Sequence, residues 1–94
     1  MGFRYQKAQF AVNNSAWTPI SVAYRISSWA IKSSSSTAFY IRTNQTDSTT
    51  QDTVAGSNQE VCSADQLVFA ANEVLFYVQS TAANDTLILS YLLA

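Results

Sequence analysis

The chain has 94 residues, a net charge of −1, one cysteine and no histidine. A chain of this length forms one small domain, residues 1–94, and its single cysteine cannot form an internal disulfide. The composition also lacks the residues for a zinc site, for Ser-His-Asp or Cys-His catalysis and for a histidine general base. We therefore expect a protein that is not an enzyme, with no catalytic residues, no cofactor and no bound metal.

Neutral polar residues supply much of the expected surface. Ser, Thr, Asn and Gln account for 35 of the 94 residues, whereas 12% of residues are charged. Such a surface can pack against other subunits with less desolvation of charge than a surface rich in Lys and Glu. The few basic residues are scattered and the pI is about 4.9, so we expect no nucleic-acid partner. Unbroken apolar stretches reach only five residues, so we expect no membrane-spanning segment.

Alternation of apolar and polar residues predicts about seven strands. The first ends at the Asn13-Asn14-Ser15 turn, and its residues Ala8, Phe10 and Val12 alternate with Lys7, Gln9 and Ala11. The seven predicted strands cover residues 4–12, 20–22, 24–32, 38–43, 59–62, 75–79 and 86–92. The residues predicted to be buried in the core are Phe39, Ile41, Leu75, Tyr77, Leu87 and Leu89.

The segments between these strands complete the prediction. Thr43–Thr53, rich in Asn, Gln, Thr, Ser and Asp, is predicted to be one long polar loop. Ser63–Phe69 is the only candidate helical turn, and the last two strands predict a C-terminal hairpin. Turn signals that recur about every 8 to 12 residues are typical of an all-β sandwich or barrel. We predict a single all-β domain, a small jelly-roll-like β-sandwich.

The acidic residues allow two chemical interpretations besides solvated loop acids. A carboxylate pair for glycoside hydrolysis could come from Asp47, Asp52, Glu60, Asp65 and Glu73, although so short a chain has little room for a sugar-sized cleft. Asp47 and Asp52 could bind calcium, but neither belongs to an Asp-x-Asp-x-Asp-Gly loop. We favour solvated loop acids for all of them.

The aromatic residues and the cysteine also have competing interpretations. A stacking platform for sugars could be formed by Trp17, Tyr24, Trp29 and Tyr40. Alternatively, Trp29 and Phe39 lie in apolar alternation and fill the core, while Trp17, beside Thr18-Pro19, contacts another subunit. Cys62 is most simply a small buried apolar side chain.

The order of segments from roughly residue 20 onwards has a recognisable layout. Ile31-Lys32 leads into the serine tract Ser33–Ser36, and Ala38–Asn44, a polar loop, Val54–Val61, Glu73–Ser80 and Asp85–Leu92 follow. This layout resembles small β-sandwich virion proteins of tailed bacteriophages, namely cement or decoration proteins of the capsid and related head or tail components. The resemblance supplies no catalytic, cofactor-binding or metal-binding residues.

The resemblance implies a structural role in the virion, which is assembled in the host cytoplasm. It implies a symmetric homo-oligomer, with a trimer preferred over a dimer, and a major capsid or other virion protein as the second partner. The alternative function is a carbohydrate- or receptor-binding module of a phage fibre, tail or adhesin. We also expect Thr43–Thr53 or Arg4–Val12 to contact a neighbouring chain, because a sandwich needs these segments least.

Overall fold

In the computed structural model, which describes residues 5–62 and 68–94, the chain forms two antiparallel sheets of four strands each. The strands are β1 (Tyr5–Val12), β2 (Thr18–Ile20), β3 (Ile26–Ser33), β4 (Phe39–Arg42), β5 (Asp52–Val54), β6 (Gln59–Cys62), β7 (Phe76–Ser80) and β8 (Asp85–Leu93). One turn of 3-10 helix lies at Ser48–Thr50. The first sheet has the order β1-β8-β3-β6 and the second has the order β2-β7-β4-β5.

The strand pairing is that of a jelly roll. β1 pairs with β8, β2 with β7, β3 with β6 and β4 with β5, all antiparallel. The chain is therefore one long hairpin that turns between β4 and β5 and is rolled into two layers. The prediction of an all-β, jelly-roll-like sandwich is confirmed.

The hydrophobic core lies between the two sheets because alternate side chains of each strand point inward. On β8 these are Leu87, Leu89 and Tyr91, and on β7 they are Phe76 and Val78, all of them buried. The fully buried apolar residues are Ile20, Ile26, Ile31, Phe39, Val78, Leu87 and Leu89.

Most of the predicted core residues occupy this layer. Phe39, Ile41, Leu87 and Leu89 are buried, and half-buried Leu75 packs against the core just before β7 begins. The prediction for Tyr77 is wrong. This residue lies on the outer face of its sheet because β7 turns Phe76, Val78 and Ser80 inward.

Three predicted features of the connections differ from the structure. The predicted loop Thr43–Thr53 ends at residue 51, since Asp52 and Thr53 belong to β5, a strand beyond the seven predicted. The C-terminal hairpin is wrong, because β7 and β8 lie in different sheets and the chain crosses between them. The N-terminal segment, expected to be one that the sandwich needs least, is a full strand of the first sheet, because β1 pairs with β8 from Tyr5 to Val12. Most of the predicted helical turn, residues 63–67, lies outside the described residues.

Candidate functional site

The outer face of the first sheet, called the neutral face below, carries the side chains that alternate with the core residues. Its members are Lys7, Gln9, Ala11, Ser28, Ala30, Lys32, Gln59, Val61, Thr86, Ile88, Ser90 and Leu92. Lys7 and Lys32 are the charged residues of this set, which contains no carboxylate. Ile88 and Leu92 are half-buried, and Val61 is 53% exposed. A surface with few charges can be packed against another polypeptide with little desolvation of charge.

The outer face of the second sheet, called the aromatic face, carries three rings. Trp17 precedes β2, Tyr77 lies on β7 and Tyr40 lies on β4, and all three are half-buried. The strand register aligns Pro19, Tyr77 and Arg42 in one row across the sheet. This face therefore combines ring surfaces with a guanidinium group.

Arg42 holds the aromatic face and the adjoining loop together. Its guanidinium carbon lies 4.1 Å from the centre of the Trp17 ring, which is a cation–π contact. Its Nε and Nη2 donate to Oε1 of Gln51 at 3.0 and 2.8 Å, and its Nη1 donates to the carbonyl oxygen of Gln45 at 3.2 Å. One side chain thus positions Trp17 and both ends of the loop between β4 and β5.

A cavity of about 340 Å³, called the inter-sheet cleft, lies where the edge strands β5 and β6 face each other. Its apolar lining comes from Trp29, Ile41, Phe69, Leu75 and Phe76. Two carboxylates, those of Asp52 and Glu60, also line it.

The strand register explains why two acids line the edge of the cleft. Asp52 is paired with the core residue Ile41, and Glu60 is paired with the core residue Ile31. Directly paired residues share a face of the sheet, so both acids occupy inward-facing positions on their edge strands.

Trp29 is part of the lining of the cleft, where its ring packs against Phe76. Its ring centre lies 4.5 Å from that of Phe76, at an angle of 36° between the ring planes. The indole Nε1 is buried and has no hydrogen-bond partner among the described residues. Buried indole N–H groups usually have an acceptor, and the described residues supply none here.

Two of the other candidate acids, Asp47 and Glu73, accept hydrogen bonds from residues close to them in the chain. Asp47 accepts from the backbone N–H and the hydroxyl of Thr49, and these bonds lower the pKa of the Asp47 carboxyl. Glu73 accepts from the backbone N–H of Ala70. Asp65 lies outside the described residues. The structure therefore brings together Asp52 and Glu60 of the hydrolase hypothesis, and it gives Asp47 and Asp52 of the calcium hypothesis different neighbours.

The four aromatic residues of the predicted sugar platform do not form one surface. Trp17 and Tyr40 share the aromatic face, whereas Trp29 lines the inter-sheet cleft. Tyr24 is 51% exposed on the connection between β2 and β3. Tyr77 and Arg42, which the sequence analysis did not assign to a site, complete the aromatic face; alternation with buried Phe76 and Ile41 was the signal for both.

Within residues 5–62 and 68–94, no three His, Cys, Asp or Glu side chains are grouped so that they could hold a metal ion. The same part of the chain contains no helix long and apolar enough to cross a membrane. The Cys62 side chain, predicted to be buried, lies outside what the structure describes. A scan against protein-family models, a search of curated proteins and a search of solved structures find no match to this chain.

Proposed function

We propose that this protein is a structural virion component of the cement or decoration type, which stabilises a phage particle through contacts between its own copies and with a capsid protein. Jelly rolls occur in viral capsid domains and also in lectins and cupins, so the fold permits this role without specifying it. The observation that carries the proposal is the neutral face.

The neutral face has the chemistry of a subunit interface. Ser90 lies near its middle, between Lys7 on β1 and Ala30 on β3. Its hydroxyl and amide side chains can form hydrogen bonds across an interface, while Ile88, Leu92 and Val61 supply apolar contact. The absence of carboxylates from this set of side chains lowers the cost of desolvation and favours a partner that presents its own acids to the lysines.

A matched pair of variants tests the proposal. Ser90→Arg places a long cation in the middle of the neutral face, and Thr53→Arg places the same group on the exposed outer side of β5. We expect Ser90→Arg to abolish self-association in sedimentation velocity and to reduce co-sedimentation with the phage particle. Thr53→Arg should behave like the parent. Equal behaviour of both variants in both assays would exclude the neutral face as the binding surface.

The aromatic face favours a second function, a carbohydrate- or receptor-binding module. Rings and an arginine beside polar loops are the groups that commonly hold sugars in shallow sites. A glycan array tests this function with Trp17→Ala, which removes the ring that contacts Arg42. The control Tyr24→Ala removes an exposed ring elsewhere. Glycan binding that is lost in the first variant and kept in the second would favour the module over the virion role.

A further inference from the structure

Two acids, on the edge strands β5 and β6, lie at the edge of the inter-sheet cleft. The structure describes five side-chain carboxylates, and those of Asp47, Glu73 and Asp85 accept hydrogen bonds from neighbouring residues. Asp52 and Glu60, the two that line the cleft, accept none from the described residues. Asp52 is exposed and Glu60 is half-buried, so both carboxylates lie at the edge of the cavity, open to a ligand that enters it.

We propose that the inter-sheet cleft binds the side chain of a lysine or arginine residue presented by a partner polypeptide. The apolar stem of such a side chain packs against Trp29, Phe69 and Leu75, as basic side chains do on apolar surfaces. Its cationic end lies near Asp52 and Glu60. The existence of the partner rests on the proposed virion function.

The charge and size of the cleft select this ligand class. A cavity of about 340 Å³ lies within the range of small-ligand pockets and holds one long side chain with part of its backbone. An acidic group would be repelled by Asp52 and Glu60, whereas a cationic group is attracted by both. Arg42 also lines the cleft, but its guanidinium is already held by Gln51, Gln45 and Trp17.

Nuclear magnetic resonance with a matched pair of small probes tests the inference on the isolated protein. The probes are Nα-acetyl-lysine methylamide and its norleucine counterpart, which lacks only the ammonium group. The readout is the indole N–H resonance of Trp29, assigned with a Trp17→Phe variant. We expect saturable, millimolar binding of the lysine probe, and binding of the norleucine probe weaker by about threefold or more. Added salt should weaken only the lysine probe.

Paired double variants locate the charge effect. Asp52→Asn with Glu60→Gln should reduce lysine binding to the level of norleucine binding. Asp47→Asn with Glu73→Gln removes the same number of charges outside the cleft and should leave lysine binding unchanged. Equal binding of the two probes, equal loss in both double variants, or no binding of either probe would overturn the inference. None of these results would affect the neutral-face test, so the two proposals fail separately.

Discussion

Asp85, at the start of β8, holds the serine tract that follows β3. The hydroxyls of Ser33 and Ser35 donate to its two carboxylate oxygens at 2.6 and 2.7 Å. Ser33 Oγ also accepts from the backbone N–H groups of Ser35 and Thr37. Burial raises the pKa of Asp85, but the hydrogen bonds from Ser33, Ser35 and the Thr86 N–H outweigh burial and lower the pKa below its ordinary 3.8.

The lowered pKa makes part of the stability dependent on pH. Because the folded state binds the Asp85 proton less tightly than the unfolded state, the carboxylate stabilises the fold above pH 3.8, and this contribution is lost as the pH falls through the lower folded pKa. Asp85→Asn should cost about 1–2 kcal/mol at neutral pH and remove this acid dependence. Urea unfolding from neutral to acidic pH measures both effects. Asp52→Asn is the control for charge, and an unchanged acid profile in Asp85→Asn would contradict the assignment.

Gly56, in the turn between β5 and β6, is required by close contact with the backbone. A Cβ atom built at this position would lie 2.0 Å from the carbonyl oxygen and 2.6 Å from the carbonyl carbon of Ser36. These atoms cannot move away as the end of a side chain could. Gly56→Ala should therefore destabilise the fold by about 1–3 kcal/mol in thermal or urea unfolding. The neighbouring Ser57→Ala should have little effect, and a Gly56→Ala protein as stable as the parent would show that the turn adjusts freely.

At the scale of the element, β8 separates its two faces most clearly because it is paired on both sides, with β1 and with β3. Leu89 is 0% exposed on the inner face, whereas the adjacent Ile88 is half-buried on the neutral face. Leu89→Ala should cost about 2–5 kcal/mol. Ile88→Ala should cost clearly less when both variants are titrated with urea at a protein concentration at which the chain is monomeric. Equal costs would mean that the neutral face is covered within one chain.

The strands that sequence could predict are those with a clear two-residue period. Phe39 and Ile41 alternate with Tyr40 and Arg42, and Leu87, Leu89 and Tyr91 recur at every second position of the last strand; all five apolar residues of these two sets are buried. The sequence does not predict β5, because Asp52 and Thr53 continue a polar tract. Val54 is the only residue of this strand that is buried in the core. The sequence predicts Tyr77 in the core because an amphipathic ring within an apolar run suits either face. The prediction that the loop or the N-terminal segment contacts a neighbouring chain stays a prediction.

Pairing between distant strands limits what the sequence can predict about sites. The last two strands are adjacent in sequence, yet β8 pairs with β1 and β3, because the jelly roll joins strands that are far apart in the chain. The inter-sheet cleft depends on the same topology. Asp52 and Glu60 had been singled out individually, but only the facing of β5 and β6 brings them to one cavity with Trp29.

At the scale of the whole molecule, the two outer faces differ in chemistry. The described side chains of the neutral face include no ring and no carboxylate, whereas the aromatic face concentrates Trp17, Tyr40 and Tyr77 around Arg42. A small domain without a disulfide gains stability when one face is covered by another subunit. This division leads us to assign subunit contact to the neutral face and to leave the aromatic face directed outward.

Light scattering coupled to size-exclusion chromatography tests the central claim, assembly through the neutral face, most directly. One chain has a mass of 10.3 kDa. At tens of micromolar we expect a closed oligomer with a whole-number multiple of that mass, and three copies are preferred over two. Ser90→Arg should elute with the mass of one chain, and Thr53→Arg with the mass of the parent oligomer. A parent protein that has the mass of one chain throughout this concentration range would contradict the claim.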